Sequence, residues 1–296
     1  MYILNRQQRH FVNSSWMIIS LLLVTLLPFF LFFGLYLKSA YLLHDYSIFD
    51  LIFSKTWKPA SGQFGFYPFI VGSIWVTLLA MLFTAPVCLL TAIYVTQYTR
   101  KIVLRIMHPA IDILAGIPSV VYGLWGILVI VPFISKYLGP LFGIKTMGYS
   151  ILAAAFVLSI MIIPFILNIL IEIFRSIPME LKEAALSLGA TQWQTIKQVI
   201  LKKALPGIIA AFGFGLARAF GETMAVLMVV GNVVKLPGNI FDPGYTLPAL
   251  IANNYGEMLS IPRYDSALMF AAFLLLAVSL FFNLIMHFFI VKYNKY

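Results

Sequence analysis

Apolar residues along this chain do not recur at the spacing of a single helix face. They gather into long blocks at about 16–37, 69–94, 112–134, 149–174, 206–231 and 266–291. About 20 apolar residues cross a hydrocarbon core of ~30 Å as a helix, so each block predicts a membrane span. The polar stretches between them are short. Two segments, about 38–68 and 232–265, are rich in glycine and proline, including Pro59, Gly62 and Gly65 in the first and Pro237, Gly238, Pro243 and Gly244 in the second. Such composition argues against long regular elements and predicts connecting loops. The expected fold is an all-α integral membrane protein: one unit, residues 1–296, of six spans.

The remaining polar segment, about 175–205, has a helical pattern of its own. Pro178 suits a first helical turn, and good helix formers follow from Met179 to Leu188. Gly189 supplies a stop, because glycine adopts the left-handed conformation without a Cβ penalty. Thr191 and Gln194 match a capping box for a second helix. The chain therefore predicts a polar helix–turn–helix between two spans. Ala184 and Ala185 expose little beyond backbone, which lets a partner approach closely, and Glu183 sets a charge at the rim of that contact.

Composition sharpens this picture. The chain is 62% hydrophobic and 10% charged, which no soluble domain of 296 residues matches. The formal net charge of +10 does not indicate nucleic-acid binding. Basic residues of membrane proteins gather at cytoplasmic helix ends. They are densest around Arg6 and Arg9, Arg100 to Arg105, Arg175 to Lys203, and Lys292 to Lys295. That bias places both termini in the cytoplasm, with an N-terminal segment at 1–15, the helical hairpin at 175–205 inside, and the loops at 38–68 and 232–265 outside. The two loops then offer an outer docking face. The first block is longer than a secretory signal core, so it is expected to remain as a helix. Cys88 is the single cysteine, and His10, His44, His108 and His287 are far apart, so neither a disulfide nor a metal site is indicated.

Charge inside the fifth block is the strongest chemical signal. From Pro206 to Arg218 is about 18 Å of helix, roughly halfway through the hydrocarbon core. A charge there is costly and marks a site or a paired partner. Glu222 lies four residues on, within reach on the same helical face. One reading is an internal ion pair that makes Arg218 tolerable. The other is an arginine that faces a pathway and meets an anion, with Glu222 holding it between substrates. Arginine suits phosphate through its planar fork. Small residues at Gly207, Ala211, Gly215, Ala219 and Thr223 line the same helix and predict close packing, often against a second subunit. In the third block, Pro118 predicts a bend, and Ser119 beside it is a candidate for the lining of a polar cavity, with a plain packing kink as the alternative.

At these residues the chain resembles a known family. Glu183-Ala184-Ala185 with Gly189 is similar to the EAA loop of ABC importer permeases, which docks in a groove of a cytoplasmic ATPase. The usual motif ends in Leu-Pro, whereas here Lys202 follows Leu201 and the Leu205-Pro206 pair comes later, so the second helix is expected to continue further. The run from Ala115 to Gly123 and the string Gly221-Glu222-Thr223-Met224-Ala225-Val226 resemble the signatures of phosphate permeases of the PstC type. Trp57, Pro59 and Pro68-Phe69-Ile70 also match that pattern.

The resemblance implies a subunit of an ATP-driven phosphate importer in the bacterial cytoplasmic (inner) membrane. It would pair with a PstA-type permease, be driven by a cytoplasmic ATPase dimer, and receive substrate from a phosphate-binding protein outside. Arg218, Glu222, Thr223 and Ser119 would line the substrate path, and Glu183, Ala184, Ala185 and Gly189 would couple to the ATPase. No cofactor is expected on this chain, since ATP and magnesium would sit on the partner subunit. Gly143-Ile144-Lys145-Thr146 lacks the Gly-Lys adjacency of a phosphate-cradling loop. A PstA-type sister subunit and a sulfate or molybdate permease remain open at this stage. A secondary transporter would not need the hairpin, and a membrane enzyme built on His108 and Asp112 lacks a placed nucleophile.

Overall fold

The computed structural model describes residues 6–256 and 261–293. Residues 1–5 of the expected N-terminal segment, 257–260 of the second outer loop and Lys295 lie outside the described residues. Among the described residues, six helices are long and apolar enough to cross a membrane. In chain order they belong to α1 (Arg6–Asp45), α3 (Tyr67–Gln97), α5 (Ser119–Leu141), α6 (Ile151–Arg175), α8 (Gln192–Phe220) and α11 (Pro262–Tyr293). Shorter pieces are α2 (Ile48–Phe53), α4 (Lys101–Gly116), α7 (Met179–Ser187), α9 (Met224–Val229) and α10 (Leu247–Asn254). A small antiparallel hairpin pairs β1 (Trp57–Lys58) with β2 (Gln63–Phe64).

Burial separates centre from periphery. Within the chain 67% of the apolar core of α6 is buried, against 0% for α1. The α6 helix packs on α3 and α8, and α8 packs in turn on α11. The exposed apolar surface of α1, including Leu21, Phe29 and Phe30, is of the kind that acyl chains solvate. Its C-terminal half packs on α11, and Leu42 is fully buried.

Small residues on α8 set its position. A Cβ on Gly207 would meet Ile173 at 2.8 Å, and one on Gly215 would collide with Ile166. On another face, Gly213 abuts Met286 of α11. Gly207 and Gly215 of the small-residue row therefore both pack inside this chain, against α6. Gly215→Val should destabilise the bundle by about 1–3 kcal/mol through overpacking. Thermal melting of the purified complex would read this, and an unchanged midpoint would mean that α8 shifts freely away from α6.

The end of the bundle that carries the β-hairpin is built from aromatic edges. Trp57 meets Phe66, Phe69 and Tyr264 edge-on, at 5.3, 5.1 and 5.9 Å between ring centroids. This wedge ties the β-hairpin to α3 and α11. The segment after Asn232 is less exposed than its glycine and proline content suggests. Residues Leu247, Ala249 and Leu250 are fully buried. The Leu247 N–H donates to Ser73 Oγ of α3 at 2.9 Å. Gly72 allows this approach, because a Cβ there would collide with the Tyr245 carbonyl.

Candidate substrate path and coupling site

Two of the expected spans are broken, and the breaks lie side by side. The third span was expected to run as one bent helix from 112. Instead α4 ends at Gly116, Ile117 is extended at φ −67°, ψ 128°, and α5 starts at Ser119. Proline disfavours the helical conformation in the residue before it, so Pro118 produces a full interruption. Asp112 consequently belongs to α4, where its Oδ1 accepts from Asn168 Nδ2 at 3.2 Å. Ser119 is half-buried in the first turn of α5.

The fifth span ends at Phe220, short of its expected limit. Gly221, Glu222 and Thr223 form a non-helical link, and α9 restarts at Met224. One turn after Ser119, Gly123 fits against the Cα of Ala225, where an added Cβ would sit at 3.2 Å. The start of α5 and the link before α9 are thus neighbours within the bundle.

Arg218 occupies the last turn of α8. Its guanidinium lies 4.8 Å from the centroid of the Phe165 ring, near the middle of the 25-residue α6. The side chain is exposed in the single chain. The expectation that Glu222 shares its helical face is corrected, because the helix stops between the two residues. Glu222 Oε1 instead accepts from the Ala225 N–H at 3.5 Å, and Thr223 Oγ1 donates to the Gly221 carbonyl at 3.4 Å. Among the described residues the ion pairs are His44–Asp45, Arg175–Glu172 and Arg263–Asp45, and none includes Arg218. Arg218 is thus a cation in the last turn of α8, against an aromatic face and with no ion pair among the described residues.

Beyond α9 lies a cavity of about 480 Å³ lined by Lys145, Met228, Asn232 and Asp242 among others. Asn232 has φ 53°, and its Oδ1 is buried without a partner, while Nδ2 donates to the Leu227 carbonyl at 2.8 Å. Sequence reasoning placed Lys145 in a loop and gave it no role. Nothing in the local pattern shows that residues 144–149 fold back onto 228–243.

The hairpin at the other end is built as its sequence suggests. The Ala190 N–H donates to the Ala185 carbonyl at 3.2 Å and the Gly189 N–H to Leu186 at 3.0 Å, with Gly189 at φ +82°. This is a Schellman ending. The capping box is present in both directions: Thr191 N–H to Gln194 Oε1 at 2.8 Å, and Gln194 N–H to Thr191 Oγ1 at 3.3 Å. From Gln192 the helix runs through to Phe220 with Pro206 inside it, so hairpin and span are one rod. Lys182 Nζ and Gln192 Nε2 both donate to Gln97, at 3.3 and 2.9 Å, tying the hairpin to the end of α3.

Glu183 and Ala184 are exposed and Ala185 is half-buried. The surface also carries Leu188, 89% exposed, and Trp193, 54% exposed. Sequence reasoning passed over both. Large apolar side chains standing out from a polar hairpin mark a surface that a partner covers.

A family model described as "Binding-protein-dependent transport system inner membrane component" matches residues 89–294. This chain belongs to that family. The chain is 38% identical over 244 residues to the phosphate transport system permease protein PstC of Xylella fastidiosa (strain 9a5c), covering 78% of this chain and 75% of that protein. A probable PstC of Methanocaldococcus jannaschii is 35% identical over 292 residues, covering 92% and 91%. Among solved structures, the inward-facing MetNI methionine ABC transporter aligns with a TM-score of 0.57 at 20% identity, covering 80% of this chain and 99% of that one. A bacterial ABC transporter involved in import of the acidic polysaccharide alginate aligns at 0.55 and 18%, covering 97% and 99%. These structures establish the ABC importer permease fold. The chain is accordingly a multi-pass transporter subunit and not an enzyme, and the transporter is completed by an ATPase partner and a substrate-binding protein.

Proposed function

We propose that this chain is one of two permease subunits of an ATP-driven importer of inorganic phosphate, with Arg218 as its anion contact. The observation that carries this reading is the Arg218 guanidinium, level with the middle of α6 and with no acid paired to it among the described residues. The PstC relatives supply the identity of the anion. A PstA-type subunit completes the path, a phosphate-binding protein docks on the outer loops, and an ATPase dimer grips α7 at Glu183, Ala184, Ala185 and Gly189. ATP and magnesium bind on that dimer, and no cofactor is required on this chain. The hairpin and both termini then lie in the cytoplasm, and the membrane is the bacterial inner membrane.

In this mechanism ATP-driven closure of the ATPases moves the hairpin. Because α8 is continuous from Gln192 to Phe220, the motion reaches Arg218 directly. The link at 221–223 lets the inner and outer halves of the path move separately. Phosphate released from outside takes a bidentate contact on Arg218. Ser119 sits in the first turn of α5, where helix N–H groups lack intrahelical acceptors and favour anions. Glu222 accepts a hydrogen bond from the P–OH of hydrogen phosphate, a proton that sulfate lacks at neutral pH.

Deleting the chain from cells without a second phosphate system should abolish uptake of labelled phosphate at low external concentration, and restoring it should recover uptake. Unchanged uptake in the deletion would refute the substrate. Glu222→Gln should slow uptake about tenfold in an assembled complex, the effect of one charge-assisted hydrogen bond. Initial rates across a phosphate series would read this, and rates equal to wild type would remove Glu222 from the path.

A further inference from the structure

A second basic cluster lies far from Arg218, beside the coupling hairpin. A cavity of about 800 Å³ is lined by Arg100, Arg105, His108, Asp112, Arg175 and Met179 among others. Two helices deliver the basic groups: Arg100 caps α4, Arg105 and His108 follow on it, and Arg175 ends α6. Two acids stand near, and both are engaged. Asp112 accepts from Asn168, and Glu172 Oε1 lies 3.3 Å from Arg175 Nη1. The same Nη1 donates to His108 Nε2 at 3.3 Å, which ties the end of α6 to α4. Arg100 and Arg105 have no ion pair among the described residues.

We infer that this cavity binds a phosphate group at the membrane surface. The positive charge exceeds the acids that face it, and arginine forks match the tetrahedral oxygens of a phosphate. The N-terminus of the 16-residue α4 adds its free N–H groups at the same place. Along α4 the apolar residues Ile102, Ile106 and Ile113 are exposed, as in a helix that lies at a bilayer interface. Basic pockets at that depth recognise the headgroups of anionic phospholipids. Free inorganic phosphate offers the same chemistry. Met179, the first residue of α7, borders the cavity. An occupant therefore touches both α4 and the coupling helix, and stiffens the joint through which ATP hydrolysis acts.

The test uses the complete transporter, purified with its partner chains and carrying Arg218→Ala so that the substrate path is silent. Native mass spectrometry counts retained phosphatidylglycerol in one arm and inorganic phosphate in the other. Arg100→Gln with Arg105→Gln, at two exposed and unpaired positions, should cut retention of at least one of these ligands about tenfold, while ATPase stoichiometry stays constant. Loss of the lipid alone identifies a headgroup site, and loss of inorganic phosphate alone identifies a site for the free anion. If the double variant does not assemble, His108→Gln gives the reading at the same cavity. Equal retention by variant and parent in both arms would overturn the proposal. The readout is binding, so it stands or falls independently of which anion the transporter moves.

Discussion

Arg218→Ala should abolish phosphate uptake, by at least ~100-fold, while the complex still assembles. Removing one partner of a desolvated charge contact costs roughly 2–5 kcal/mol, which spans about 30-fold to several thousand-fold. Assembly should survive because Arg218 is exposed in the single chain, where its guanidinium lies over the face of Phe165. Arg218→Lys separates charge from shape: it keeps the cation and loses the planar fork, so uptake should fall to an intermediate level. Uptake would be measured at several external phosphate concentrations, with co-purified ATPase as the control for assembly. Full uptake by Arg218→Ala would place the anion path elsewhere.

Gly189→Pro should detach the ATPase. Gly189 sits at φ +82°, and its N–H closes the end of α7 onto Leu186. Proline is held near φ −65° and has no N–H, so it loses both features at once. The turn would reorient, and the contact surface made by Glu183, Ala184 and the exposed Leu188 would no longer be presented. ATPase recovered with the affinity-purified permease should drop about tenfold or more, which needs only ~1.4 kcal/mol of lost affinity. Asparagine tolerates the left-handed region, so Gly189→Asn should retain the ATPase. If both variants bind as wild type does, the coupling surface is elsewhere on the chain. If both lose binding, the glycine is required for space against the partner and not for its backbone angle.

The contrast between these two sites shows what the chain reveals about itself. Hairpin geometry depends on neighbours in sequence, so Pro178, Gly189, Thr191 and Gln194 announce it, and the Schellman ending and capping box follow from residue type. Membrane spans are equally local, since each is a length of apolar residues. The breaks at 117–118 and 221–223 are different. Proline at 118 signals a disturbance, but Pro164 and Pro206 sit inside the unbroken α6 and α8, so a proline alone does not say that the helix stops there. Gly221 and Thr223 are ordinary residues in membrane helices, and nothing nearby marks them as a link. The reading of Arg218 and Glu222 as residues on one helical face fails for that reason. Long-range placement is hidden in the same way: the burial of Leu247 to Leu250 depends on Ser73 and Gly72, which lie more than a hundred residues away.

Reconstitution tests the central claim most directly. The complete transporter would be placed in liposomes with ATP supplied to the ATPase side and the binding protein on the other, and labelled phosphate followed with and without excess sulfate. The account predicts ATP-dependent phosphate accumulation that sulfate does not reduce and that Arg218→Ala removes. Accumulation that persists in Arg218→Ala, or that is lost when sulfate is added, would contradict a phosphate path through this residue.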